Sequence, residues 1–330
     1  MLNAIYSNNG KFTTEKDPLK IAEIYKQGVE FIWIDIHLSN HELSLEETSL
    51  LIETFKFHEM SLEDCLFPQY YPKIEEFENY IFGAVHGIQL KPNYLQEFED
   101  CIYELNFFAG KGFVVTVHTE ELFFIETLFE KAKARPHVEL KSIENLLYNI
   151  FNKIVSSYEF TLEKIDDKVE DLEDEVIEDP ETRDMQDILD TKKVIFAMRK
   201  IAESQQIVYI YFTRSNINLV SKEYLVYFRD IVTQCAKINQ GIILRSQMVV
   251  SLLEVYMSSV TVRLSQVMKF LTIIATVMMP MFIISGYYGM NVQFPEYLFF
   301  GEKGTWYFAV GVMVVVVIAM LAYFKKKKWF

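Results

Sequence analysis

Two long runs without a charged residue lie near the C-terminus of the chain. No charged side chain occurs in residues 270–295, and none occurs in residues 306–324. About 20 helical residues at about 1.5 Å each cover a hydrocarbon core of about 30 Å, so each run is long enough to span a membrane. The pattern predicts transmembrane helices at residues 269–291 and 306–324. Residues 292–305 would join them, and residues 325–330 would form a basic tail.

The N-terminal part of the chain alternates strand patterns with helical patterns. Apolar positions at helical spacing predict helices at residues 41–55 and 120–134. Runs of β-branched and aromatic residues between turn residues predict strands at residues 31–36, 80–90, 101–108 and 112–117. We therefore expect an α+β domain over residues 1–136, followed by long helices and a two-helix transmembrane hairpin.

Beyond Pro136 the sequence favours long helices. Between Pro180 and Pro280 there is no proline and only one glycine, Gly241, and a shortage of helix breakers favours long helices. We expect a long-helix region over residues 137–268, and its last helix continues into the first membrane span. About 60 residues of helix would be about 90 Å long. That length exceeds a single globular core, so copies of the chain are the simplest cover for its apolar face.

Charge is distributed unevenly along the chain. The formal net charge is −14. Residues beyond Tyr256 carry two acids and seven bases, which leaves 44 acids against 25 bases upstream, a net charge of −19. Such a domain repels nucleic acid and anionic lipid and attracts cations. Simple solubility is the alternative explanation for this charge.

The four lysines at residues 325–328 directly follow the second span. Positive residues next to a span stay on the cytoplasmic side, and two spans return the chain to the side where it began. We therefore expect both termini in the cytoplasm and residues 292–305 on the outer side.

The sequence offers little for catalysis or for an organic cofactor. Cys65, Cys101 and Cys235 are far apart and form no CxxC pair, which is typical of free thiols in a reducing compartment. The histidines show no zinc-ligand pattern. No phosphate-binding glycine loop and no nucleophile–base pair stands out, so we expect no organic cofactor and no enzyme.

The first span carries a stripe that a lipid-facing helix does not need. Thr272 and Thr276 lie one turn apart on one face. A single stripe at spacings of three and four contains Met268, Leu271, Thr272, Ala275, Met279, Phe282 and Gly286. It either lines a pore between several copies or packs against another helix. It has no carboxylate, which suits an ion that keeps its water shell better than one that the protein binds directly.

Gly289-Met290-Asn291 closes the first span. With residues 268–280 (MKFLTIIATVMMP), 227–231 (YFRDI), 162–167 (LEKIDD) and the closing FKKKKW, it resembles the CorA family of divalent-cation channels. The resemblance implies a funnel-shaped homopentamer in the inner membrane. It also implies influx of Mg²⁺, with Co²⁺ and Ni²⁺ as further candidate ions.

The resemblance also implies roles for single residues. Gly289, Met290 and Asn291 would select the hydrated ion, and Leu271 and Met279 would form the hydrophobic gate within the pore lining. Glu296 would attract cations at the outer mouth. The chain departs from the family where Phe282 replaces a common threonine and Ser265 a common asparagine.

Regulation by cytoplasmic Mg²⁺ is a further implication. The family binds regulatory Mg²⁺ between neighbouring subunits, and the matching residues are Glu63, Asp64 and Asp230. Asn152 stands where the family has an aspartate, which should weaken this site. The alternative is that these acids are ordinary surface residues.

Two other functions remain open. A zinc transporter of the same superfamily shares Gly-Met-Asn but usually lacks the Pro-Glu loop, so Glu296 favours magnesium. A membrane-anchored acidic scaffold or sensor would conduct nothing, and the polar stripe at Thr272 and Thr276 argues against it.

Overall fold

The computed structural model describes residues 1–8, 10–39, 41–67, 71–178, 182–214, 219–290, 292, 295, 297–327 and 329. The chain divides by its contacts into two compact units, Met1–Leu253 and Glu254–Phe330. Within the described part of the first unit, strands form one sheet in the order β2-β1-β3-β7-β6-β5-β4. The strands are β1 Leu2–Asn8, β2 Lys11–Glu15, β3 Phe31–His37, β4 Lys73–Glu76, β5 Tyr80–Ile88, β6 Ile102–Gly110 and β7 Phe113–His118.

Only β3 and β7 pair in parallel; the other neighbours in this order pair antiparallel. Every residue of β5 and of β7 is buried. Such strands read as continuous apolar runs because both faces of the sheet are covered. The four predicted strands are confirmed, whereas β1, β2 and β4 were not predicted. Both edge strands, β2 and β4, contain lysine and glutamate, which weaken the hydrophobic signal and protect an open edge.

One face of the sheet is covered by short helices. They are α1 Pro18–Lys26, α2 Leu45–Ser49 and α3 Glu59–Leu66. The single helix predicted at residues 41–55 is instead the short α2 followed by a π-helical turn, Leu50–Thr54. Helix α2 begins only at Leu45 because Ser44 and Glu47 form a capping box there. The core below contains Ile32, Ile34, Phe82 and Phe108, all fully buried.

Longer helices follow the sheet. They are α4 Phe123–Ala134, α5 Pro136–Glu139, α6 Ile143–Glu178, α7 Thr182–Tyr211 and α8 Leu225–Tyr288. The predicted helix at 120–134 is confirmed with a later start, at Phe123. The predicted long-helix region, residues 137–268, contains α6, α7 and most of α8.

Strand β5 extends beyond the end of β4, and side chains of α6 and α7 form hydrogen bonds with its backbone there. The His86 amide donates to Gln205 Oε1 (3.0 Å), and Tyr158 Oη donates to the His86 carbonyl (3.0 Å). The Ile88 amide donates to Ser157 Oγ at 3.1 Å. Because buried backbone groups must be paired, these bonds fix both helices against the sheet.

Polar contacts also attach the first part of α8 to its neighbours. Asn239 Nδ2 donates to Gln206 Oε1 of α7 at 2.8 Å, and Arg245 forms an ion pair with Asp166 of α6. Nearby, the thiol of Cys235 is buried, and burial raises its pKa to about 12. Cys65 and Cys101 are also free and buried, so the prediction of free thiols is confirmed.

The second unit contains the end of α8 and helix α9, Tyr297–Lys326. In the described part of the chain, two helices are long and apolar enough to cross a membrane, Leu225–Tyr288 and Lys303–Lys326. The segment predicted as a loop, residues 292–305, is helical from Tyr297. Non-helical backbone angles at Gly301 (φ 67°, ψ 172°) interrupt this helix, and glycine permits that positive φ.

A buried polar network joins β3 and β7. Asp35 accepts a hydrogen bond from Thr116 Oγ1 (2.6 Å) and lies 3.4 Å from His118 Nε2. The other ring nitrogen of His118, Nδ1, lies 2.6 Å from the Glu120 carbonyl. Both ring nitrogens therefore face acceptors, which favours the imidazolium. Burial lowers the pKa of His118, but the hydrogen bond and charge of Asp35 outweigh it, and the net pKa is raised.

This network predicts alkaline loss of stability. An unfolded histidine has a pKa of about 6.5. The stabilisation is therefore complete below about pH 6.5 and is lost as the pH rises through the raised folded pKa. Asp35→Asn should lower the free energy of unfolding at about pH 6 by about 2 kcal/mol, with a smaller difference at about pH 9. Unfolding of the full-length protein in detergent, followed across this range, measures both effects.

The matched control is His41→Asn, because His41 is exposed and asparagine tolerates its positive φ of 58°. Its profile should follow that of the wild type. If the free energies of unfolding of Asp35→Asn and wild type differed by the same amount at every pH, the prediction of a charged Asp35–His118 pair would be wrong.

Candidate ion pathway and cation sites

The predicted stripe on α8 faces outward from the single chain. The exposed fractions are 60% for Met268, 58% for Leu271, 66% for Met279 and 67% for Phe282. Ala275 is also exposed and Thr276 is half-buried. By contrast, Ile273 is buried. Among the described residues the stripe is therefore mostly uncovered, whereas another face of the same helix is buried.

The two threonines present oxygen rather than hydrogen to the outside of the helix. Thr272 Oγ1 donates to the Met268 carbonyl, and Thr276 Oγ1 donates to the Thr272 carbonyl, each at 2.7 Å. Because each hydroxyl hydrogen is used within the helix, the remaining lone pairs are acceptors. Acceptors of this kind bind the water shell of a cation, and the stripe supplies them without any negative charge.

Gly289 stands where α8 ends. Its amide donates to the Ser285 carbonyl at 2.9 Å, and the Met290 amide donates to the Tyr287 carbonyl at 3.3 Å. A Cβ on Gly289 would lie 2.9 Å from the Ser285 carbonyl oxygen. Glycine is thus required here by the close approach of this carbonyl oxygen. Asn291 and Glu296 lie outside the described residues.

Helix α3 carries the first two predicted regulatory acids. Glu63 is exposed, and Asp64 is half-buried in an ion pair with Lys73 of β4. Burial lowers the pKa of Lys73, but its hydrogen bond with Asp64 and the charges of Asp64 and Glu75 raise it overall. This partner was not predicted, because a contact between a helix and a later edge strand leaves no local pattern in the sequence.

The other two predicted regulatory residues lie on different helices. Asp230 is an exposed residue of α8 whose Oδ2 accepts a hydrogen bond from Gln234 at 2.7 Å. Burial and the charge of Asp230 raise the pKa of Tyr148 on α6. Asn152, also on α6, lines a cavity of about 320 Å³ together with Lys131 and Lys153.

The single chain does not assemble a metal site from these residues. Among the described residues, no group of three or more histidine, cysteine, aspartate or glutamate side chains is placed to hold a metal ion. The lysines beside Asn152 oppose a bound cation.

Comparison with known proteins identifies the family. The sequence profile of the family described as CorA-like Mg²⁺ transporter protein matches residues 28–326. The chain belongs to this family. It is 34% identical over 291 residues to the cobalt/magnesium transport protein CorA of Thermotoga maritima, which covers 84% of the chain and 78% of that protein.

Solved structures show the same fold. The complete CorA magnesium transporter from Methanocaldococcus jannaschii superimposes with a TM-score of 0.81 at 22% identity, covering 100% of the chain and 99% of that structure. The ZntB cytoplasmic domain from Vibrio parahaemolyticus superimposes with a TM-score of 0.61 at 14% identity. The match covers 78% of the chain and 96% of that structure. The predicted α+β domain, long helices and C-terminal pair of candidate membrane helices are confirmed. CorA-like proteins are divalent-cation transporters, not enzymes.

The geometry at Gly289 predicts a sharp effect of one methyl group. Gly289→Ala should displace the end of α8 and reduce Mg²⁺ uptake into proteoliposomes about tenfold. This reduction corresponds to a free-energy barrier to ion passage that is higher by about 1.4 kcal/mol. Gly311→Ala on α9 is the matched control, because a Cβ there meets nothing within 4 Å in the chain. Equal uptake by both variants would show that the close approach is unimportant.

Proposed function

We propose that the chain forms a channel that passes hydrated Mg²⁺ inward through the membrane. The observation that carries this proposal is the exposed, uncharged stripe on α8 with two threonine acceptors, which leads to Gly289, Met290 and Asn291. A divalent ion entering a negative interior gains about 4.6 kcal/mol per 100 mV, from about 2.3 kcal/mol per charge. Co²⁺ and Ni²⁺ are further candidate ions, and no organic cofactor takes part.

Several copies of the chain would form the pore. Helix α8 exposes large apolar side chains before the uncharged run begins, among them Val262, Leu264 and Val267. Arg263 and Lys269 lie in the same segment, so lipid is a poor cover for it. Identical neighbours cover such a stripe in closed rings, and the resemblance implies five copies.

The proposed topology follows the charge pattern. Residues 1–136 and 137–268 would lie in the cytoplasm, residues 269–291 and 306–324 would span the inner membrane, and residues 292–305 would face outward. The lysines at the end of α9 keep the C-terminus inside.

Regulation would depend on cytoplasmic Mg²⁺ bound between neighbouring copies. Glu63, Asp64 and Asp230 supply hard oxygen ligands, and Asn152 supplies a neutral one. Ions that relieve repulsion between acidic domains would stabilise the closed assembly by mass action. Because lysines lie near Asn152, this residue would contribute least to cation binding at the regulatory site.

Zinc transport is the second candidate, because the fold is shared with a ZntB domain. Glu296 in the Pro-Glu loop favours magnesium. Flux of Zn²⁺ with no flux of Mg²⁺ would decide for zinc.

Replacing the amide at the outer end of the stripe tests the channel. Asn291→Ala should abolish most Mg²⁺ uptake into proteoliposomes, a fall of at least about tenfold, because the neutral oxygen that binds the hydration shell is lost. The control is Asn93→Ala, at an exposed cytoplasmic turn. A non-conducting scaffold would show no saturable uptake with either protein.

Removing one regulatory charge tests the sensor. With the internal Mg²⁺ concentration varied, Asp230→Asn should need about tenfold more Mg²⁺ for half-inhibition of uptake, because a charged ligand is lost. Asp174→Asn removes the same charge from an exposed position on α6 and should leave the curve unchanged. Equal shifts for the two variants would indicate a general effect of net charge.

A further inference from the structure

A cleft of about 820 Å³ lies in the N-terminal sheet domain, away from the residues assigned to transport. It is formed by α1, the π-helical turn, the first turn of α3 and the turns that join β4 to β5 and β6 to β7. Its volume is in the range of pockets that bind small organic molecules, about 300–1,000 Å³.

Aromatic rings form one wall of this cleft. The Phe77 ring lies 4.6 Å from the Tyr80 ring and 5.8 Å from the His58 ring, measured between centroids. The Tyr25 and Phe55 rings are 4.4 Å apart. Tyr25 and Phe77 are only half-buried, so they offer ring surface to a planar ligand. Aromatic side chains bind planar rings such as nucleobases by stacking.

Two exposed lysines, Lys56 and Lys111, also line the cleft. Neither forms an ion pair or a side-chain hydrogen bond with any residue that the structure describes. Lysine binds phosphate groups as a point charge. Residues 1–256 carry a net charge of −19; within them, these two ammonium groups offer positive charge beside an aromatic wall, with two carboxylates on the same rim.

Lys56 occupies a position that glycine fills at lower energy. Its φ is +56°, and the Phe57 amide that follows it donates to the Leu51 carbonyl at 3.1 Å. This is the left-handed ending of a helical turn, where glycine is the usual residue because it has no Cβ. The backbone needs no lysine here, so the charged side chain points to a role in binding.

Two carboxylates, Glu59 and Glu78, complete the rim. They are acceptors for hydroxyl and amino groups. A nucleoside phosphate combines a planar base, donor groups on its sugar and base, and an anionic phosphate. The negative charge of the domain disfavours a nucleic acid chain, with its many phosphates, more than it disfavours a single nucleotide.

We propose that this cleft binds a free nucleoside phosphate, with the base against Tyr25 and Phe77 and the phosphates at Lys56 and Lys111. Because Glu59 belongs to the first turn of α3, the bound molecule contacts the helix that carries Glu63 and Asp64.

Equilibrium dialysis of the full-length protein in detergent with radiolabelled ATP tests the proposal. EDTA is included so that divalent ions do not take part. We expect saturable binding of one ATP per chain with a dissociation constant below about 1 mM. Adenosine and inorganic tripolyphosphate should each compete at least about tenfold less well, because each offers only half of the contacts.

Lys56→Gly gives the sharpest test. It should weaken ATP binding about tenfold, while the thermal midpoint stays equal or rises because glycine suits the positive φ. Phe77→Leu, which keeps an apolar side chain but removes the ring, should also weaken binding about tenfold. The control is Lys11→Ala, an exposed lysine of β2 that does not line the cleft.

Three results would overturn the proposal. They are no saturable ATP binding with a dissociation constant below about 1 mM, tripolyphosphate binding as tight as ATP, or equal weakening by Lys56→Gly and Lys11→Ala. The second result would show that the cleft binds anions without recognising the base.

Discussion

The apolar surface of α8 is the constraint on which the rest of the structure depends. A helix from Leu225 to Tyr288 cannot bury its whole surface against one chain, and the hydrophobic effect makes such exposure unfavourable in water. Up to Leu253 its cover comes from α6 and α7, with Asn239 and Arg245 fixing the contact. Beyond that point the described helix is mostly exposed, so lipid and further copies must complete it.

The chemistry of the proposed path follows from the same helix. A carboxylate on the stripe would bind a divalent ion tightly and would favour loss of its water, which Mg²⁺ resists. The stripe instead offers the lone pairs of Thr272 and Thr276, whose hydrogens are held by carbonyls within the helix. Binding of this strength allows an ion to enter and to leave, as conduction requires. In the proposed path, Leu271 and Met279 would add apolar surface that excludes water where the path narrows.

Parts of the fold with a strong local signal were predictable from the sequence. The strands near residues 31–36 and 80–90 and the long helices follow from apolar periodicity. The edge strands β2 and β4 were missed because their polar residues suit an open edge and not a core. The left-handed Lys56 and the π-helical turn before it depend on packing of the following chain, which no local pattern encodes.

The candidate site also has one part that the sequence predicted and another part that it did not. The stripe from Met268 to Gly286 lies on one helix, so its periodicity alone predicted that these residues share one face, which either lines a pore or packs against another helix. The acids proposed for regulation come from α3 and α8, and their surroundings depend on distant parts of the chain. Lys73 beside Asp64 is one example, and Lys131 and Lys153 around Asn152 are another.

These lysines change the electrostatic argument for regulation. The strongly negative domain raises the local concentration of cations, but this general attraction does not determine where on the domain a cation binds. Lys73 already neutralises Asp64 within the chain, so a divalent ion must compete with an ammonium group there. Glu63 and Asp230 have no such competitor among the described residues. An ion bound between copies would therefore take most of its binding energy from these two carboxylates, with Asp64 contributing only as far as Lys73 moves away.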